Sequence, residues 1–148
     1  MLGRLARWLR VLGLDTAYDP AVPDIDLVKW AHAEGRILLT RDRPLVAELQ
    51  PRRALLIASD APLEQLRQVV TATSLSPPTE LFHRCLVCNA VLRPATAAEV
   101  ATLVPALARP LPGPVRRCPG CHRMYWPGSH ARRMRAALAR AFPQWFLG

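Results

Sequence analysis

Four cysteines carry the most specific chemical signal in this 148-residue sequence, and they stand as two pairs, Cys85-x2-Cys88 and Cys118-x2-Cys121. A two-residue spacing lets each loop present both sulfurs to one ion, and four thiolates close a tetrahedral shell around Zn2+. A closed shell leaves no position for water, so the pattern predicts a structural zinc and not a catalytic one. Two disulfides are the competing arrangement and are disfavoured in a reducing compartment, while a redox dithiol needs no second pair. His83, His122 and His130 lie near the pairs, but four cysteines already fill the shell. Pro119 and Gly120 fall inside the second pair, where glycine can accept a tight backbone turn.

Carboxylates form the second group. Asp42 follows the apolar run RILLT by two positions, Asp24 stands at the head of DIDLVKWAHAE, and Asp19 ends LDTAYD. In an open parallel sheet, functional side chains gather beyond the carboxyl ends of strands. Three carboxylates from different connections can converge there, hold Mg2+ or Mn2+ and activate water for phosphodiester cleavage. Each also has a structural reading: Asp24 and Asp42 as helix caps, Asp19 as a turn residue, Asp26 as a first-turn charge. His32, in mid-helix, reads as a packed or solvated side chain.

The charge is segregated. Acidic and basic residues balance over residues 1–80, whereas residues 81–148 carry ten arginines against Glu99 alone, so the whole net charge of +9 falls in the last part. Arg116, Arg117, Arg132 and Arg133 are the candidates there for phosphate contacts, and nucleic acid is the expected partner. The 51% hydrophobic content excludes a disordered chain. No apolar run reaches the roughly 18 residues of a membrane span, and Arg4, Arg7 and Arg10 interrupt the start, which argues against a signal peptide. A cytoplasmic protein with no membrane partner is expected.

These groups need elements to position them. MLGRLARWLR reads as an amphipathic helix from the first residue, with Leu2, Leu5, Leu9 and Leu12 as its apolar stripe, arginines between them, and Gly13 as its cap. LDTAYD suits a brief strand, and Asp24 can cap a helix that stops at Gly35. RILLT and ALLIA suit buried strands, DRPLVAEL a short helix, and APLEQLRQVVTATS a helix with Pro62 in its first turn. This alternation predicts a parallel α/β sheet. The break at TSLSPPTE divides an α/β domain, residues 1–75, from a cysteine-containing one, residues 81–148, which the metal must hold together because its many prolines leave little core. That second part ends in the helix HARRMRAALARAF, with Met134, Leu138, Ala141 and Phe142 on one face and arginines around the others. It packs on its own domain or lies against a nucleic-acid backbone.

MLGRLARWLRVLGLDTAYD, GRILLTRDRPL, RCLVCNAVLRP and CPGCHRMYWPGSHARRM, in this order, together resemble the Mut7-C family. The resemblance implies a PIN-like α/β ribonuclease domain with flanking helices, joined to a small C-terminal zinc ribbon that aids RNA binding. It implies catalytic metal at Asp24 and Asp42 and zinc at Cys85, Cys88, Cys118 and Cys121. Tyr125, Trp126, Gly128, Ser129 and His130 match the family's YWxGSH stretch, whose aromatics either stack on bases or pack over the zinc knuckle. The family also has a first strand ending in a metal-binding Asp just before the MLG helix, and here nothing precedes Met1. Either the ligand is lost or the natural start lies upstream, and a missing central strand leaves sheet edges to be covered some other way. The expected activity is metal-dependent RNA hydrolysis. A non-catalytic RNA-binding protein is the alternative, and a protein-binding zinc-ribbon adaptor fits the arginines less well.

Overall fold

The first helix, α1, runs Gly3–Val11 in the computed structural model, which describes residues 2–146. Its apolar stripe is buried at Leu5 and Leu9, and Leu12 follows it inward. At its end the Gly13 N–H donates to the Arg10 carbonyl at 2.9 Å and the Leu14 N–H to the Leu9 carbonyl at 3.0 Å, with Gly13 at φ 89°. That pair of bonds is the Schellman closure expected of a glycine stop. Arg10 departs from the polar-face expectation, because it is only 6% exposed.

The chain forms two compact units by contact, and α1 is shared between them. One holds the chain through Trp8 and Ala17–Ser76; the other holds Leu9–Thr16 and the chain from Pro77 onward.

In the N-terminal unit, α2 (Asp24–Glu34), β1 (Leu38–Thr40), α3 (Arg43–Leu49), β2 (Ala54–Leu56) and α4 (Pro62–Thr73) follow one another as the alternation predicts. β1 and β2 pair in parallel, Leu38 opposite Ala54 and Thr40 opposite Leu56, with α3 as the crossover that parallel neighbours need. Val28 and Ala31 of α2, Leu38 of β1 and Leu45 of α3 form the core, with Leu27, Val46 and Leu49 packed around it. Leu66 of α4 is fully buried.

The outer edge of β2 is covered by a side chain. Arg53 and Ile57 bond to β1, so Leu56 and Ala58 turn their backbone groups the other way. There the Gln68 amide donates to the Leu56 carbonyl at 2.8 Å and accepts from the Ala58 N–H at 2.9 Å. One glutamine on α4 thus satisfies the donor and acceptor that a further strand would use.

The strand expected at LDTAYD does not form. The Thr16 N–H donates to Asn89 Oδ1 at 3.0 Å, and its carbonyl accepts two bonds from the Arg10 guanidinium, so side chains replace a strand ladder.

In the C-terminal unit, β3 (Arg93–Pro94), β4 (Arg116–Arg117) and β5 (Met124–Tyr125) form an antiparallel sheet in that order. α5 (Ala97–Leu103) lies between β3 and β4 in the chain and begins with a capping box made by Thr96 and Glu99. α6 (Ser129–Ala141) buries Leu138 and Ala141, as the apolar stripe requires, and leaves Arg132, Arg133, Arg135 and Arg140 exposed. A turn of 3-10 helix, Pro143–Trp145, follows, and the Phe142 and Trp145 rings stack. One buried cluster of this unit is Cys85, Leu92 and Cys118, with Ala90, Cys121 and Tyr125 packed against them, and Leu81, Phe82, Leu86, Val104 and Phe142 are buried as well. No helix among the described residues is long and apolar enough to cross a membrane.

Candidate metal centre

The two cysteine loops repeat one backbone design. In the first, the Cys85 N–H donates to the Ala90 carbonyl at 2.8 Å and the Asn89 N–H to the Cys85 carbonyl at 3.0 Å; in the second, Cys118 N–H to Arg123 and His122 N–H to Cys118 give the same two distances. Each loop closes through a left-handed residue just after its second cysteine, Asn89 at φ 71° and His122 at φ 68°. The tight turn expected of Gly120 is therefore made by its neighbour but one, and Gly120 packs close to the sulfurs. A Cβ there would lie 3.4 Å from the Cys88 sulfur and 3.7 Å from that of Cys118, in ordinary contact with both.

The repeated turns bring the four sulfurs within 4.8 Å of one another. Cys85 lies 3.5 Å from Cys121, and Cys88 lies 3.3 Å from Cys118. Sulfurs bound at about 2.3 Å in a regular tetrahedron stand about 3.8 Å apart, whereas a disulfide needs about 2.05 Å. The cluster therefore fits a four-thiolate metal site, and the cysteines are unbridged. Burial pushes the Cys88 thiol up to about 12, against a backbone hydrogen bond from Ala90. Burial also raises the Cys121 thiol, but hydrogen bonds from the Arg123 backbone and guanidinium outweigh it and bring Cys121 down to about 6. A bound divalent ion would hold all four as thiolates.

Tyr125 supports this cluster. Its hydroxyl lies 3.0 Å from the Cys85 sulfur and accepts from the Leu86 N–H at 3.0 Å. Burial, and then the bond to Cys85, raise its pKa, so the phenol stays protonated beside the sulfur. Outer partners of this kind orient metal ligands. Of the two readings of this aromatic pair, packing over the knuckle describes Tyr125.

Arg10 braces the first loop as well. Its guanidinium donates to the Leu86 and Val87 carbonyls at 2.9 and 3.3 Å while still holding Thr16. Asn89, besides turning the loop, donates to Asp15 Oδ1 at 2.7 Å. Neither role was read from the sequence, although an Asn placed directly after a cysteine pair was a usable signal, since Asn tolerates the left-handed turn.

The basic residues divide into two kinds. Arg116 is bound to Glu80 at 2.6 Å and to the Leu81 and Phe82 carbonyls, and Arg117 is bound to Glu99 at 2.5 Å and to the His122 carbonyl. Hydrogen bonds from the Arg93 guanidinium, the Thr96 N–H and the Arg117 guanidinium hold the Glu99 carboxyl well below the usual carboxylate range. Arg132 and Arg133 are exposed on α6.

In the N-terminal unit, Asp42 caps α3 by accepting from the Leu45 N–H at 3.1 Å, which leaves its second carboxylate oxygen outside the cap. Pro23 takes the cap position of α2, so Asp24 is the first residue of that helix and not its cap, and it is exposed. Asp19 accepts from the Ala21 N–H at 3.0 Å, a turn role, and His32 Nε2 accepts from the Arg52 N–H at 3.0 Å. The four cysteines are the group of three or more metal-ligating side chains found among the described residues; Asp19, Asp24 and Asp42 do not form a second one.

The family model that matches this chain is described as the Mut7-C RNAse domain and covers residues 1–138. No curated protein and no solved structure gives a significant match.

Proposed function

Because the chain belongs to the Mut7-C RNAse domain family, we propose that it is a metal-dependent ribonuclease that hydrolyses RNA phosphodiester bonds in the cytoplasm. In this reading the N-terminal unit is a PIN-like domain, and the C-terminal unit is a zinc ribbon that helps to hold RNA. The family match over nearly the whole chain carries the reading.

Zinc at Cys85, Cys88, Cys118 and Cys121 is structural, since four thiolates leave it no open position. Asp24 and Asp42 hold the catalytic Mg2+ or Mn2+. Magnesium is commonly bound by one or two carboxylates with substrate phosphate and water supplying the rest, and both aspartates have carboxylate oxygen free of helix capping. The ion, when bound, lowers the pKa of water and stabilises the leaving oxygen. Arg132 and Arg133, exposed on α6, contact phosphates. Arg116 and Arg117, the other two candidates, are held in ion pairs with Glu80 and Glu99 that offset their charge.

The test is Mn2+-stimulated cleavage of a labelled single-stranded RNA by the full chain and by Asp42→Asn. Asn caps helices as well as Asp, so the variant keeps α3 and removes only charge. Loss of cleavage with retained RNA binding is expected. Salt-sensitive RNA binding without Mn2+-stimulated cleavage, unchanged in Asp42→Asn, would replace the ribonuclease with a non-catalytic RNA-binding protein.

A further inference from the structure

Beside the sulfur centre, the C-terminal unit holds a cleft of about 450 Å³. Phe82, Leu86 and Met124 contribute apolar surface to it, Trp126 lines it, and the first turn of α6 with Arg132 and Arg135 forms its basic side. Within the sequence Tyr125-Trp126, only Tyr125 is committed to the sulfurs.

Trp126 is fixed where the helix begins. The Gly128 N–H donates to the Trp126 carbonyl at 2.8 Å, and a Cβ on Gly128 would come within 2.8 Å of the indole Nε1. The indole therefore lies directly against the residue that caps α6. Also in the lining, the Arg135 guanidinium stands 6.0 Å from the centre of the Phe82 ring. The lining charges are three arginines, Arg116, Arg132 and Arg135, against Glu80 alone, and Arg116 is the one Glu80 holds. The surplus, on Arg132 and Arg135, lines the same cleft as a half-buried indole. Flat aromatic surface beside exposed guanidinium is the combination that recognises an unstacked base and its phosphate.

Size narrows the occupant. Small-ligand sites span roughly 300–1,000 Å³, so this cleft has room for one nucleotide and none for a duplex. The geometry points to a pocket for one unpaired nucleotide of an RNA strand, with its base against Trp126 and its phosphate between Arg132 and Arg135. The ribonuclease reading supplies the polymer; the cleft adds that the strand must be single and that one base is drawn out of its stack.

The experiment titrates the full zinc-loaded chain with a short oligouridylate and with the same strand annealed to oligoadenylate, following tryptophan fluorescence and anisotropy of labelled RNA. The single strand is expected to quench fluorescence and bind more tightly than the duplex. Trp126→Leu should lose the quench and about tenfold in affinity, while Trp126→Phe, which keeps a ring, retains most of the affinity. Zinc content, measured on each variant, shows that the unit is intact. Arg132→Ala, on the exposed rim, should lower the slope of log affinity against log salt by about one. Equal affinity and equal quench with duplex, or unchanged affinity in zinc-loaded Trp126→Leu and Arg132→Ala, would overturn the pocket while RNA binding and cleavage still stood. A chain that neither binds nor cleaves RNA would remove the ribonuclease reading as well.

Discussion

In the N-terminal unit, Val28, Ala31, Leu38 and Leu45 meet between two helices and a strand; the C-terminal unit buries Leu138, Ala141 and Phe142 at the end of α6 and also gathers a cluster of Cys85, Leu92 and Cys118. The first set comes from elements long enough to repeat an apolar face. The cysteine cluster comes from loop positions beside strands of two residues each, which offer no such repeat. There sulfur and ion pairs add to the buried carbon: four thiols, and Glu99 held between Arg93 and Arg117. The difference teaches that one unit depends on the area it removes from water, and the other on buried area together with a few directed bonds.

Three perturbations bear on that contrast. The largest effect is expected from Cys118→Ser. Structural zinc sites contribute roughly 10–16 kcal/mol of apparent binding energy in small zinc domains, so losing one ligand should release the metal and unfold the C-terminal unit. Zinc analysis and amide exchange at Cys85–Leu92 check this, and full zinc occupancy with unchanged exchange would break the comparison. Next comes Leu66→Ala in α4. Truncating a fully buried leucine costs about 3 kcal/mol, expected as a lower urea midpoint with zinc content unchanged. A variant that also lost its zinc would show that area and sulfur are not separable.

The smallest effect concerns pH. The Glu99 carboxyl titrates below its ordinary 4.5 in the folded chain, so its contribution is full above that value and fades as the pH falls through 4.5 toward the folded pKa. Glu99→Gln should therefore destabilise near neutral pH and converge on the parent in acid. Thermal melts of both proteins between about pH 7 and about pH 3 check the sign, and a constant gap across that range would rule out the carboxylate as its source.

Much of the N-terminal unit was legible because its elements announce themselves. RILLT and ALLIA are apolar runs too short for helices, and they hold β1 and β2; Asp42-Arg43-Pro44 places a cap and a proline at the head of α3. LDTAYD misled because composition does not show where backbone bonds go: its carbonyl and N–H partners are Arg10 and Asn89, the latter 73 positions away. The four cysteines were legible from spacing alone. The closing turns were not, since Gly120 was the obvious candidate and His122 adopts the left-handed backbone. Arginine is likewise opaque in sequence. Arg116 and Arg132 look alike there, yet one is spent on Glu80 and the other is open to solvent, a distinction made by an acid 36 positions from Arg116.

The sharing of α1 bears on the order in which this chain can fold. Residues 9–16 reach the first cysteine loop through bonds that span 71 to 77 positions, from Gly13 to Arg84 and from Arg10 to Val87. During synthesis, the helix that carries Arg10 is made long before the carbonyls it serves, so the metal loop can close around it only after the whole N-terminal unit has emerged. A gene fragment beginning at Pro77 would encode all four thiols and still leave the Leu86 and Val87 carbonyls and the Asn89 side chain without the partners they have here.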